Sequence, residues 1–128
     1  MAWQLAVELR DKTIVFLDTF PVGSDRQLFD QLRDSVASPP SNIAEGFGRF
    51  EARDFARFLT IARASLDETD NHLRDLATRR GQTARCGELV QLTARCRTAV
   101  VRLRGYLLSP RNPWLNRRSS RKMPTEPA

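Results

Sequence analysis

The chain has 128 residues, 41% hydrophobic and 28% charged, with a formal net charge of +6 and two cysteines. That length suits one domain with a buried core, and the absence of any run approaching ~18 apolar residues argues against a membrane-spanning helix. The excess charge is uneven: from Ser109 onward Arg111, Arg117, Arg118, Arg121 and Lys122 face only Glu126, while the first 108 residues hold 16 basic against 14 acidic residues. Most of an apparent nucleic-acid signal therefore belongs to a C-terminal tail.

The first predicted helix runs from about Trp3 to Phe20. Leu5, Leu9, Phe16 and Phe20 share a face that Ile14 and Leu17 broaden, and Lys12 and Thr13 interrupt. Acids among the apolar residues of Met1 to Phe16 do not match the basic, apolar and small segments of a secretory leader, so a cytoplasmic protein is expected. Phe20-Pro21-Val22-Gly23 closes this helix, and Ser24 or Asp25 is positioned to cap the next.

In the second helix, Asp25 to about Arg49, Leu28, Leu32, Val36, Pro39, Ile43, Phe47 and Phe50 recur at intervals of three and four. The apolar phase is unchanged across Pro39 and Pro40, which predicts one helix kinked there rather than two helices and a loop. The third helix, about Glu51 to Arg80, keeps the same spacing through Phe55, Phe58 or Leu59, Ala62, Leu66, Thr69, Leu73 and Leu76. Gly81 suits a left-handed C-terminal position, and Arg79 and Arg80 suit the negative end of the helix dipole. The fourth, about Thr83 to Leu108, buries Leu89, Leu92, Cys96, Val100 (or Ala99), Leu103 and Leu107, and its polar face carries Arg85, Arg95, Arg97, Arg102 and Arg104 against Glu88. From Ser109, Pro110, Pro113, Pro124 and Pro127 with paired Arg and Ser predict a disordered basic tail, in which Trp114 and Leu115 are able to dock back. The expected architecture is an all-α, up-down-up-down four-helix bundle over residues 1–108, followed by a tail over 109–128.

The stretch Gln31-Leu32-Arg33, then Ser38-Pro39-Pro40-Ser41-Asn42-Ile43-Ala44-Glu45-Gly46-Phe47-Gly48-Arg49, then Phe55, Arg57-Phe58-Leu59, Ile61-Ala62 and Ser65-Leu66 resembles the four-helix-bundle family also called the 23S ribosomal RNA intervening-sequence protein family. The resemblance spans about residues 5 to 108. It implies a cytoplasmic bundle that assembles as a ring-shaped homopentamer. Some relatives are encoded in spacers excised from 23S ribosomal RNA precursors. A more distant similarity is to the accessory protein of diversity-generating retroelements, which partners a reverse transcriptase and nucleic acid. The chain departs from the family pattern at Asp34, where a basic residue is usual, at Ala64, where Gly is favoured, and at Asp67-Glu68-Thr69-Asp70. With Asp34 in place, the span from Asp25 to Gly48 holds two basic and four acidic residues, which weakens any grip of this helix on RNA.

Among candidate sites, Asn42 and Glu45 lie three apart on one helical face, and a carboxylate there must be paired. The expectation is a polar cluster tying the second helix to arginines of the third or of a neighbouring subunit, so that Glu45→Ala loosens the bundle or the ring. Asn42, Ile43, Ala44, Glu45, Gly46, Ser65 and Leu66 form the structural motif. Gly46 and Gly48 read as close-approach and helix-ending residues, since no strand precedes them and no phosphate-loop Lys follows. A di-iron bundle needs two Glu-x-x-His motifs, but the one histidine, His72, follows Glu68 by four, so no metal is expected. Cys86 and Cys96 stand ten residues apart on one helix, about 15 Å along its axis, beyond disulfide reach, and are expected as free buried thiols of a reducing compartment. No base sits beside either thiol on its helix, and no serine elbow is present, so neither catalysis nor a cofactor is expected. Arg95 with Arg102 and Arg97 with Arg104 form two seven-residue pairs; with Arg117, Arg118, Arg121 and Lys122 they are the candidate RNA or DNA contacts, able to bind through counterion release. The functional expectation is a non-enzymatic, homo-oligomeric scaffold or binding module, with a nucleic-acid-binding accessory protein as the alternative and an adaptor that takes a partner helix in its grooves as a third.

Overall fold

A computed structural model describes residues 1–116. Four helices, α1 (Ala2–Asp18), α2 (Arg26–Phe47), α3 (Ala52–Arg80) and α4 (Thr83–Leu107), follow in chain order; a short 3₁₀ turn at Gly23–Asp25 lies between α1 and α2, and another at Pro113–Asn116 follows α4. Each helix packs on its chain neighbours, and α1 closes the square against α4. Short connections make neighbours antiparallel, giving an all-α bundle.

α2 passes through Pro39 and Pro40 as one helix, as the unbroken apolar phase predicted. The two prolines remove the N–H donors that would reach the carbonyls of Ser35 and Val36. The stripe, however, ends earlier than expected. Phe47 and Phe50 are exposed, whereas Phe29 is fully buried and Gly46 takes the last core position. The reason is local: a Cβ on Gly46 would stand 2.8 Å from Phe55 Cδ1 and 2.9 Å from Phe58 Cβ. Only a bare backbone lets α2 approach α3 this closely, and the larger Phe47 ring lies at the margin of the contact, edge-on to Phe55 with centroids 6.0 Å apart.

α1 also differs from its sequence reading. Thr13 does not interrupt the apolar face but sits within it, fully buried beside Leu9, Phe16 and Leu17. Its γ-methyl fills apolar space, while its hydroxyl has no hydrogen-bond partner among the described residues. Ser35, Thr69 and Thr93 are the buried hydroxyls of the other three helices. They fall near the level where the core divides into two clusters. One gathers Leu5, Leu9, Ile43, Phe55, Leu66, Val100 and Trp114; the other holds Phe16, Phe29, Leu32, Val36, Leu73 and Leu76.

α3 and α4 bury the residues expected of them. α3 ends at Gly81, whose φ of +66° is left-handed and costs a residue without Cβ nothing. Asp25 precedes α2 but makes no capping bond; its carboxylate is drawn instead to Arg79 and Arg80 at the end of α3, at 3.1 and 2.7 Å. Arg80 also donates to the carbonyls of Pro21 and Val22 and lies over the Phe29 ring, so one guanidinium fastens the α1–α2 connection to α3.

Order continues past Leu108, where the tail was expected to begin. Asn112 is buried and donates to the Leu107 carbonyl, and the Trp114 N–H donates to Asn112 Oδ1. The Trp114 ring is 4% exposed in the first core cluster, with Nε1 bonded to the Phe50 carbonyl. The docking open to Trp114 in the sequence thus carries the packed body to Asn116.

Candidate functional site

The Asn42-to-Gly46 segment occupies the last turns of α2, against the first turns of α3. Ile43 and Gly46 are buried, Asn42 is half-buried, and Ala44 and Glu45 face solvent. Asn42 Nδ2 donates to the Ser38 carbonyl and hydroxyl, both at 2.9 Å, and Ser65 of α3 donates to the same Ser38 hydroxyl at 2.7 Å. One turn along, Thr69 Oγ1 lies 2.9 Å from Ser35 Oγ and 2.8 Å from the Ser65 carbonyl. A polar seam thus crosses from α2 to α3 in the turn before the proline pair, and Asn42 joins it from the turn after. Leu66 stands fully buried behind it.

Glu45 does not take part in that seam. It pairs with Arg49, four residues on, at 2.9 Å, and Arg49 in turn lies 4.8 Å over the Phe58 ring of α3. The expected ion pair from Glu45 to an α3 arginine is absent among the described residues, because Glu45 points outward one position past the seam. The link to α3 runs instead through Ser38 with Ser65, and through Arg49 stacked on Phe58. Around this turn Phe47 and Phe50 are exposed, Phe58 is half-buried, and Ile61 is exposed one turn further along α3. Gly48 ends α2 as expected, its N–H directed to the Ala44 and Glu45 carbonyls.

Of the arginines of α4, Arg85 lies 4.9 Å over the Phe16 ring of α1, and the other four separate into two sets. Arg97 pairs with Asp67 of α3 at 2.8 Å, and Arg104 donates to Thr60 at 2.9 Å, so this pair braces α4 on α3. Arg95 and Arg102 point to the other side, into a groove of about 940 Å³ between α1 and α4. Its lining is apolar at Leu5, Ala94, Ala99 and Leu103, and Arg111 and Tyr106 complete it. Glu8 is the acid that feels Arg95, but its carboxylate is hydrogen-bonded to Lys12 at 2.7 Å, which holds its pKa below the usual carboxylate range. Arg117, Arg118, Arg121 and Lys122 lie outside the described residues.

Among the described residues no group of three or more His, Cys, Asp or Glu side chains converges as a metal site, and His72 is half-buried on α3. Cys86 and Cys96 are both free and buried. Burial raises the Cys86 thiol and pushes Cys96 up to about 12, away from thiolate chemistry. No helix among the described residues is long and apolar enough to cross a membrane.

Two features escaped the sequence reading. Arg111, counted with the tail, belongs to the groove because Asn112 and Trp114 tie its segment down. The Ser35–Thr69 and Ser38–Ser65 pairs had only one sequence signal, small hydroxyl residues at apolar-phase positions.

No curated protein matches the chain. The profile of the family described as "23S rRNA-intervening sequence protein" matches residues 1–99, covering α1, α2, α3 and most of α4. With four helices in the expected order and the Asn42-to-Gly46 segment set against α3, the chain belongs to the 23S rRNA-intervening sequence protein family.

Proposed function

We propose that this protein is a non-enzymatic scaffold of the cytoplasm that works as an assembly of identical copies, a pentamer by the family resemblance. The observation that carries this reading is the apolar end of the bundle. Phe50 is 61% exposed, Phe47 and Ile61 are 46% exposed, and half-buried Phe58 adjoins them. Clustered aromatic surface of this kind is the composition of interface cores rather than of solvated faces. The buried free thiols accord with a reducing compartment. Light scattering on the eluting full-length protein tests the proposal: a mass several times 14.6 kDa is expected, reduced by Phe47→Glu with Phe50→Glu. A 14.6 kDa species at tens of micromolar refutes it.

A second reading, an accessory protein that binds RNA or DNA, draws support from Arg95, Arg102 and Arg111 on one groove. Its measurement is oligonucleotide affinity against salt for the full chain and for a chain ending at Asn116, since an earlier cut removes the buried Trp114. A steep fall of affinity with salt supports it, and no binding at low salt eliminates it.

A further inference from the structure

The α1–α4 groove and the outer face of α2 are complementary surfaces on the same chain. The groove presents three guanidiniums, Arg95, Arg102 and Arg111, around apolar Leu5, Ala94, Ala99 and Leu103. Arg95 and Arg102 are exposed, and neither makes an ion pair within ordinary salt-bridge distance among the described residues. The outer face of α2 carries Asp30, Asp34, Ala37, Ser41, Ala44 and Glu45, all exposed. At 100° per residue they fall within an arc of about 100°. Its three acids face one base in the same arc, Arg26 one turn before Asp30. Arg33 on the flank is turned to Asp18 of α1 at 3.0 Å, and Glu45 is paired with Arg49, so Asp30 and Asp34 are the acids it offers.

Shape agrees with charge. From Asp30 to Ala44 the face runs about 21 Å along α2, and the groove wall from Ala94 to Tyr106 runs about 18 Å along α4, both at 1.5 Å per residue. Ala37, Ser41 and Ala44 leave the α2 backbone close to the surface, so the helix can lie between the arginine rims without long side chains holding it off. The two surfaces are on different sides of the bundle, since α2 borders α1 and α3 while the groove is the α1–α4 seam. A contact between them is heterologous, using a different patch on each copy, and such contacts either close into rings or continue as filaments.

We propose that the α1–α4 groove of one copy receives the outer face of α2 from the next. This deepens the self-assembly reading and rests on it: it adds a charged contact between copies to the apolar one at Phe47 and Phe50. Opposite charge sets register and excludes the reversed approach of groove on groove, where six guanidiniums would face each other.

The test is charge exchange on the full-length protein, read by light scattering with circular dichroism as the check on folding. Arg95→Glu with Arg102→Glu sets carboxylates against Asp30 and Asp34; Asp30→Arg with Asp34→Arg sets guanidiniums against the groove. Each double variant alone is expected to run as the 14.6 kDa species while keeping the helical signal and melting of the wild type. Mixed in equal amounts, the two are expected to meet alternately and give masses above 14.6 kDa, in open or even-numbered assemblies, because a ring of five would force one junction between two copies of the same variant. Persistence of the wild-type mass in both variants, or failure of the mixture to assemble while each remains folded, overturns the interface but leaves self-assembly standing. A monomeric wild-type protein removes both readings. Loss of affinity for a single-stranded oligonucleotide in the Arg95→Glu, Arg102→Glu variant with unchanged mass also overturns the proposal and assigns the groove to nucleic acid.

Discussion

Gly46→Ala is the sharpest probe of how α2 meets α3. In an exposed helix the same change is favourable by about 0.5–1 kcal/mol, because alanine has less backbone freedom to lose on folding. At Gly46 the new methyl would stand 2.8 Å from Phe55 Cδ1, 2.9 Å from Phe58 Cβ and 3.3 Å from the Phe55 carbonyl oxygen. Two of those three neighbours are a backbone atom and a Cβ, which move only if α3 moves. Forcing such an overlap costs about 1–3 kcal/mol. Set against the propensity gain, the net loss is about 1–2 kcal/mol, or a fall in melting temperature of about 5 °C for a domain of this size. Gly87→Ala is the internal control: no atom lies within 4 Å of its added Cβ, and it sits inside α4. It is expected to raise stability by up to about 1 kcal/mol. Urea titration of both variants, monitored by far-ultraviolet circular dichroism, gives the comparison directly. If Gly46→Ala is as stable as Gly87→Ala, the close crossing of α2 and α3 is refuted.

Replacing Trp114 by Ala removes a buried indole and its bond to the Phe50 carbonyl and is expected to cost about 3 kcal/mol, read as a lower melting temperature; an unchanged melt would contradict its burial. Asp25 has its pKa lowered, first by its hydrogen bond from Arg80 and then by that from Arg79. Its contribution is therefore present above the ordinary carboxylate pKa and is lost as pH falls through the lower folded value. Asp25→Asn is expected to flatten the acid limb of a stability-against-pH curve, and an unchanged limb would remove the clasp from the account. Cys96, raised to about 12 by burial, should resist a thiol-reactive dye in the native protein and react once urea unfolds it; rapid native labelling would contradict its burial. Glu45→Ala, which sequence reasoning expected to loosen the bundle, breaks only an exposed pair to Arg49 and is expected to shift stability by about 0.3–0.5 kcal/mol, checked by the same melting experiment.

The sequence alone determined the architecture, because helical periodicity is a local property that survives without knowledge of neighbours. The phase held from Leu28 through Val36 and Pro39 to Ile43 was enough to carry α2 across two prolines, and Gly81 marked the end of α3 by its backbone freedom. The motif around Asn42 to Gly46 was legible for the same reason, as contiguous residues in a fixed order. Tertiary structure decided whatever depends on two elements at once. Periodicity extended the stripe to Phe47 and Phe50, but the close approach of α3 gave the core position to Gly46 and left Phe47 at its edge, against Phe55, and Phe50 exposed beyond the end of α2. It treated Thr13 as a break, although a methyl-bearing residue fits an apolar face. It grouped the α4 arginines by spacing alone, while partners on α3 engaged Arg97 and Arg104 and left Arg95 and Arg102 on the groove. Most plainly, it gave Arg111 to a tail. Composition says how costly a segment is to order, and only the core says whether a buried Asn112 and Trp114 repay that cost.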